Sequence, residues 1–335
     1  MPGPDFVGIG TERAGTDWLA KNLRRHPDIW LPPLKELHYF DQRIKEPSFG
    51  ALVARLSGKK YTDDWYHQFW RGQLRNRSRA HQKNFDPRAA IWDYRFFVRS
   101  PSDRWYASLF KHGRGKTTGE ITPDYSLLEE DEVARIHKLM PSVKVIFLMR
   151  NPIERVYSAA VRRLHFRDQK VEATSEEQLF EGFGNRRVKA FTDYLQILEK
   201  WRRFYPDDQI FIGFLEDIHL HPARLLRRLY GFLGVDDSPA RKPLRRKVHN
   251  YSPEEMPTRV AAHLARVYHE NLQRLSARFG GYASFWLYCA ERLTNDTLNE
   301  DTIPYPLCGS RLWEEWVKES RSFTRMNPQD SSAKW

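Results

Sequence analysis

Long apolar runs are missing from this 335-residue chain. No stretch of about 18 hydrophobic residues occurs, so no membrane-spanning helix is expected. Cysteine is scarce, with only Cys289 and Cys308. That excludes a disulfide-built scaffold and fits a reducing compartment, where two unpaired thiols are expected. The opening "MPGPDFVGIG" has neither a basic leader nor an apolar signal core, so a cytoplasmic protein is expected. Repeats and low-complexity segments are absent. No histidine, cysteine or carboxylate cluster shows metal-ligand spacing, so no metal is expected.

Positive charge is abundant. Lys and Arg number 55 against 43 Asp and Glu, a net charge of +12. This favours an anionic partner (nucleic acid, nucleotide, acidic glycan or membrane surface) without choosing among them. "RLLRRL" (224–229) and "RKPLRRK" (241–247) are the densest clusters. With 40% hydrophobic and 29% charged residues, the chain reads as globular, with ample material for a core.

Hydrophobic patterning predicts strands over 5–10, 143–150 and 209–218, and a strand in "GEITPDYS" (119–126) that turns at Pro123. Helices are predicted over 16–27, 102–113 with Ser102 as cap, 130–141, 186–206, 222–234 and 257–280. Another spans 151–166, where Asn151 caps and Pro152 takes the first helical position. "LKELHYFD" (34–41) alternates and is expected to be extended. Residues 42–100 are rich in Arg, Trp and Phe without a clear period. The aromatic tail, 281–335, is expected to pack back on the body. Strands alternating with helices imply an α/β fold, a mostly parallel sheet flanked by helices. Ligands sit at the carboxyl ends of the strands in such sheets.

Two strand-to-helix junctions carry anion chemistry. In "GIGTERAGTDWL" the helix starting near Thr16 points free backbone N–H groups and a positive dipole end at the turn. Gly15 permits close approach, Thr16 offers a hydroxyl and Arg13 a permanent charge. The turn has the glycine spacing of the triphosphate loop G-x-x-x-x-G-K-[ST], from Gly10 to Gly15, but it is not that loop, because Gly15 is followed by Thr, not Lys. In "FLMRNPIERVYSAAV" Arg150 ends a strand, where its guanidinium can grip a phosphate in two-point fashion. Arg155 and Ser158 share a helix face. Arg155 is alternatively the partner of a carboxylate such as Glu154.

The pair of junctions resembles the signature of sulfotransferases that use 3′-phosphoadenosine 5′-phosphosulfate (PAPS). The 5′-phosphosulfate loop of that family is similar to "GTERAGTDWL", and its 3′-phosphate motif to "LMRNPIERVYSAAV". "PPLKELHYFD", "WYASLFKHG", "GEITPDYS", "FLEDI", "YGFLGV" and "KVHNYS" follow in the family's order, and together they cover roughly residues 6–280. The heparan-sulfate-type and bacterial carbohydrate branches are the most similar. The resemblance implies the P-loop-nucleotide-kinase-like sulfotransferase fold, a transferase domain over 1–280 and a C-terminal extension over 281–335. It implies PAPS as co-substrate, a glycan or small-molecule acceptor, no nucleic acid, no stable membrane insertion and no metal.

Carried over residue by residue, the cofactor contacts are Arg13, Ala14, Gly15, Thr16, Asp17, Trp18, Arg150, Ser158, Lys247 and Asn250. Arg150 and Ser158 are assigned to the 3′-phosphate, and Lys247 and Asn250 to a lid. Trp18 either stacks on adenine or packs in the core. The catalytic set is Glu36, Arg13 and His38. By resemblance Glu36 is the base and His38 positions the acceptor, although histidine has the pKa closer to neutrality and Glu36 would need its own raised. If 34–41 is extended, Glu36 and His38 point to one side and Lys35 to the other. Three residues depart from the family pattern. Arg13 stands where Lys is usual, Asp17 where Thr is usual, and Ile121 where heparan-type members often have Lys. Asp17 must point away from a polyanion, capping the helix or pairing with Lys21. A P-loop-type kinase and a non-catalytic nucleic-acid-binding protein are the competing readings.

Overall fold

The computed structural model describes residues 3–41, 65–169, 174–244, 255–295 and 300–326. Five strands form one sheet: β1 (Phe6–Gly10), β2 (Ile29–Trp30), β3 (Thr117–Ile121), β4 (Lys144–Met149) and β5 (Ile210–Phe214), in the order β2-β3-β1-β4-β5. All neighbours run parallel. Every residue of β1 is buried, as a strand covered on both faces requires. Alternate residues feed two cores: Val7, Ile9, Val145 and Phe147 face one, and Phe6, Ile146 and Leu148 the other. β1 lies between β3 and β4, so the chain reverses its winding there. The carboxyl ends of these three strands therefore open one crevice.

The helices are α1 (Thr16–Leu23), α2 (Trp65–Lys83), α3 (Pro87–Val98), α4 (Asp103–Ser108), α5 (Glu130–Leu139), α6 (Pro152–Phe166), α7 (Glu176–Phe183), α8 (Arg186–Ala190), α9 (Tyr194–Arg202), α10 (Leu215–Leu220), α11 (Pro222–Leu233), α12 (Thr258–Phe279), α13 (Gly281–Thr294) and α14 (Arg311–Met326). A short antiparallel pair, β6 (Glu255–Pro257) with β7 (Thr302–Pro304), ties the start of α12 to the tail. Cys289 and Cys308 are both buried and form no disulfide. Among the described residues no helix is long and apolar enough to cross a membrane.

Several elements differ from the sequence expectation, each for a local reason. The predicted helix over 186–206 is two helices, because the Asp193 side chain accepts from Gln196 N and restarts the helix. The predicted strand 209–218 ends at Phe214 and turns directly into α10. Within 42–100, the Asp86 carboxylate accepts from Arg88 N and Pro87 opens α3, a capping signal that the dense Arg and Trp content obscured. The segment 34–41 is not extended: Glu36 (φ 66°) and His38 (φ 54°) both adopt left-handed backbone. Leu34, Leu37, Tyr39 and Phe40 are all buried, so two successive residues, Tyr39 and Phe40, face inward where a strand would alternate. Glu36 N donates to Ile121 O at 3.1 Å, which fastens this loop to the end of β3.

Candidate active site

The turn after β1 is shaped by two left-handed residues, Arg13 (φ 70°) and Gly15 (φ 93°). Gly15 is the N-cap of α1, and no side chain caps the helix. A Cβ at Gly15 would lie 2.5 Å from Ile218 Cδ1. Glycine is thus required by both conformation and space. The turn is closed by Ala14 N, which donates to Thr11 O at 3.3 Å. Its shape presents the N-terminal peptide groups of α1 to the crevice.

The junction after β4 is built from side chains. Asn151 caps α6 by accepting from Ile153 N at 3.1 Å, with Pro152 in the first helical position. Arg150 is 1% exposed, and its charge is met by Glu154, also 1% exposed, through Nε (3.1 Å) and Nη2 (3.0 Å). Arg150 Nη1 donates to Arg13 O at 3.1 Å, and Nη2 also donates to the Tyr305 hydroxyl. Burial works against the Arg150 charge, but Tyr305 and Glu154 more than offset it and hold its pKa up. The alternative pairing of Arg155 with Glu154 does not form: Arg155 is held by Thr192 Oγ1 and Val188 O, while Glu154 goes to Arg150. Arg13 Nε donates to Ser158 Oγ at 2.9 Å, so the two junctions meet directly.

A third group comes from 34–41. Lys35 Nζ lies 3.2 Å from Thr16 Oγ1, 2.7 Å from Asp17 Oδ1 and 2.9 Å from Glu36 Oε1. The alternation argument separated Lys35 from Glu36; the left-handed backbone at Glu36 instead brings them together. Asp17 pairs with Lys35, not Lys21, and this turns its carboxylate to a cation. His38 Nε2 is 3.6 Å from Glu36 Oε2, and its Nδ1 is 2.6 Å from Asp41 Oδ2 and 3.7 Å from Asp124 Oδ2. Arg187 bridges to Asp124 from the other side. Burial alone would lower the His38 pKa; its hydrogen bond to Asp41 and the nearby Glu36 carboxylate outweigh that and raise it to about 9. Burial would likewise raise Glu36, yet Lys35 and His38 hold its carboxyl well below the usual range. The expected upward shift of Glu36 is therefore reversed in this state, because two cations face it.

Below this loop Glu120 is buried and accepts from Tyr106 (2.5 Å), Thr122 (2.8 Å) and Tyr125 (3.1 Å). The Tyr125 hydroxyl also accepts from Tyr39 N at 3.1 Å, so this cluster props the loop from beneath. Trp18 is 6% exposed within the core around α11, and its Nε1 donates to Leu244 O at 2.7 Å. Lys247 and Asn250 lie outside the described residues. Although no metal-ligand spacing was evident in the sequence, the fold gathers His38, Asp41 and Asp124 with ligand atoms within 4.8 Å of one another. The Arg187 guanidinium already supplies a cation to that corner.

Lys35, Asp41, Asp124 and Arg187 were missed as a group. Asp41 closes the quoted "KELHYFD" and Asp124 sits in "GEITPDYS", so both were within recognised motifs. Arg187 and Tyr305 carry no local signal. The tail is stitched to the layer behind the site: Trp286 Nε1 donates to Glu216 Oε1 at 2.6 Å, and Leu307 N to Glu154 Oε1 at 2.7 Å. Burial, with the charge of Glu154 added, pushes the Glu216 carboxyl up to about 8.

A family model described as "Sulfotransferase family" matches residues 4–239. Two Mus musculus proteins, heparan sulfate glucosamine 3-O-sulfotransferases 3B1 and 3A1, are each 30% identical over 162 residues. The match takes in 45% of this chain and 40% of each mouse protein, so the chain spans less than half the length of these relatives. Among solved structures, a sulfotransferase from Alicyclobacillus acidocaldarius superimposes with a TM-score of 0.56 at 20% identity, covering 85% of this chain and 99% of that one. The sulfotransferase domain from the curacin biosynthetic pathway gives a TM-score of 0.50 at 17% identity, covering 74% and 79%. These two likenesses establish the fold.

Proposed function

Since the chain belongs to the sulfotransferase family, we propose that it transfers a sulfuryl group from PAPS to an acceptor hydroxyl or amine, with Glu36 as the base. The observation that carries this reading is Lys35. It joins the helix-start turn, at Thr16 and Asp17, to the candidate base Glu36 within 3.2 Å. A phosphosulfate cradle and a proton acceptor are thereby set side by side, as an in-line displacement needs.

The residues fit the co-substrate. The start of α1 and the left-handed turn before it form a concavity of backbone donors with no side-chain cap. When bound there, PAPS supplies the sulfuryl group and a 5′-phosphate leaving group. In the displacement the acceptor oxygen forms a bond to sulfur as the sulfur–oxygen bond to the 5′-phosphate breaks, and the acceptor proton passes to Glu36. Arg13, Lys35 and the α1 dipole meet the charge that gathers on the leaving oxygen. Lys35 has a second effect. While it faces Glu36 it keeps that carboxylate weakly basic; once drawn toward the phosphosulfate it releases Glu36, whose basicity rises. His38, already protonated at neutral pH beside Asp41 and Glu36, leaves the proton to Glu36 and positions the acceptor. Arg150 and Ser158 hold the 3′-phosphate. Trp18 packs in the core around α11, with its Nε1 bonded to Leu244 O.

The names of the mouse relatives and the net charge of +12 favour a carbohydrate hydroxyl as acceptor, ahead of a small alcohol. The test is calorimetric binding of 3′-phosphoadenosine 5′-phosphate (PAP), ATP and an oligonucleotide, with transfer of labelled sulfate from PAPS to a sugar panel in EDTA. Selective binding of PAP and chelator-resistant transfer are expected. Tighter binding of ATP with magnesium-dependent activity would establish the kinase reading; tight oligonucleotide binding alone would establish the nucleic-acid reading.

A further inference from the structure

Arg150 is engaged before any ligand arrives. Its contacts with Glu154, Tyr305 and Arg13 O use Nε–H, both Nη2 hydrogens and one Nη1 hydrogen. Arg150 and Glu154 are each 1% exposed, whereas Tyr305 is only half-buried. Among these side-chain partners Tyr305 alone reaches toward solvent. Its oxygen accepts from the guanidinium and keeps its own hydrogen to donate. An O–H whose oxygen accepts from a cation is a stronger donor for it.

The tail holds Tyr305 in place by independent contacts. The Arg150 guanidinium carbon lies 4.9 Å from the ring centroid, and the Tyr157 ring packs edge-on at 5.4 Å. Leu307 N is tied to Glu154 Oε1, and β7, which ends at Pro304, is paired with β6. Ser158 is near at hand: Arg13 touches Ser158 through Nε and Arg150 through its carbonyl. Tyr305 lies beyond the 4–239 span of the family match.

Resting on the reading of Arg150 and Ser158 as the 3′-phosphate pair, we propose that Tyr305 is a direct hydroxyl donor to the 3′-phosphate and relays the charge of the buried Arg150 to it. The C-terminal extension thereby contributes a cofactor-binding residue. The tail then senses whether the nucleotide carries a 3′-phosphate, which distinguishes PAP from 5′-AMP.

The test is equilibrium binding of PAP and of 5′-AMP to the full chain and to its Tyr305→Phe and Ser158→Ala variants, with thermal melts alongside. Tyr305→Phe keeps the ring contacts but leaves one Arg150 N–H without its acceptor, so its melting temperature should fall modestly while the fold is kept. It should weaken PAP binding about tenfold or more, the worth of a bond to a charged group, and leave 5′-AMP unchanged. Unchanged or tighter PAP binding by Tyr305→Phe would overturn the proposal, because Tyr305 would then only cover Arg150. If Ser158→Ala loses PAP selectively while Tyr305→Phe does not, the Tyr305 proposal alone falls. If Ser158→Ala weakens both nucleotides equally, the 3′-phosphate reading falls and takes the proposal with it.

Discussion

The two strand-to-helix junctions prepare for an anion by opposite means. After β1 the work is done by backbone: two left-handed residues and an uncapped helix start. After β4 it is done by side chains: an asparagine cap, a proline, and a guanidinium locked to a carboxylate out of water. A backbone site needs little more than glycine and space. A buried-charge site must bring its own counter-ion, because an unpaired ion there would cost several kcal/mol. The same punctuation in sequence, strand then turn then helix, therefore leads to one site sensitive to an added Cβ and another sensitive to a lost charge.

The largest effect should come from breaking the second junction. Arg150→Ala leaves Glu154 buried without its cation, which should cost about 3–5 kcal/mol of stability. Chemical denaturation would read this loss. An Arg150→Met/Glu154→Met double variant should recover much of the stability while PAP binding stays weak, which separates the folding role from the binding role. A single variant as stable as the parent would show that the pair contributes little.

Next comes the group that bridges the junctions to the acceptor. Glu36→Gln should lower turnover by about 10²-fold or more, the usual worth of a positioned base, with PAP affinity nearly unchanged. His38→Ala should do less, mainly through the apparent affinity for acceptor. An inactive His38→Ala beside an active Glu36→Gln would reverse their roles.

The first junction should respond to bulk. Gly15→Ala places a Cβ against Ile218 on a backbone with φ 93°, and should cost roughly 1–3 kcal/mol. Asn151→Ala, removing the cap of the second junction, should cost about 1 kcal/mol. Thermal melts of the two variants compare the junctions directly; an order opposite to this one would contradict the division into backbone and side-chain sites.

A further contrast lies in the pH dependence of stability. The folded His38 pKa, about 9, lies above its ordinary value near 6.5, so the folded state holds a proton that the unfolded state releases. The stabilisation is complete below about pH 6.5 and is lost as pH rises through 9. Glu36 behaves in the opposite sense: its contribution is present above the usual carboxylate range and is lost as pH falls toward its depressed value. Stability measured from pH 6.5 to 9 should decline, and His38→Gln should flatten that decline. An identical slope in the variant would remove His38 as its source.

Much of this was legible along the chain because it depends on neighbours a few residues apart. Apolar runs such as "VKVIFLM" place the buried strands, and Asn151-Pro152 starts α6 by local geometry and hydrogen bonding. Gly15 marks the turn, and the ordered motifs identify the family and its parallel sheet. Other features depend on contacts across long stretches of chain, for which no local period exists. Glu36 and His38 became neighbours through left-handed backbone anchored on β3, not through strand alternation. Lys35 crossed to the base because the same backbone turned it, and Asp17 found it there. Glu154 settled on Arg150, leaving Arg155 to Thr192 and Val188, because burial allows a charge only where partners converge. Tyr305 reached Arg150 across 155 positions. Sequence alone determined the central strands, the start of α6, the family and the two strand-to-helix junctions, since these follow from local propensity and pattern. Tertiary structure decided which charges face each other, since desolvation and Coulomb energy depend on distances in space that sequence spacing does not encode.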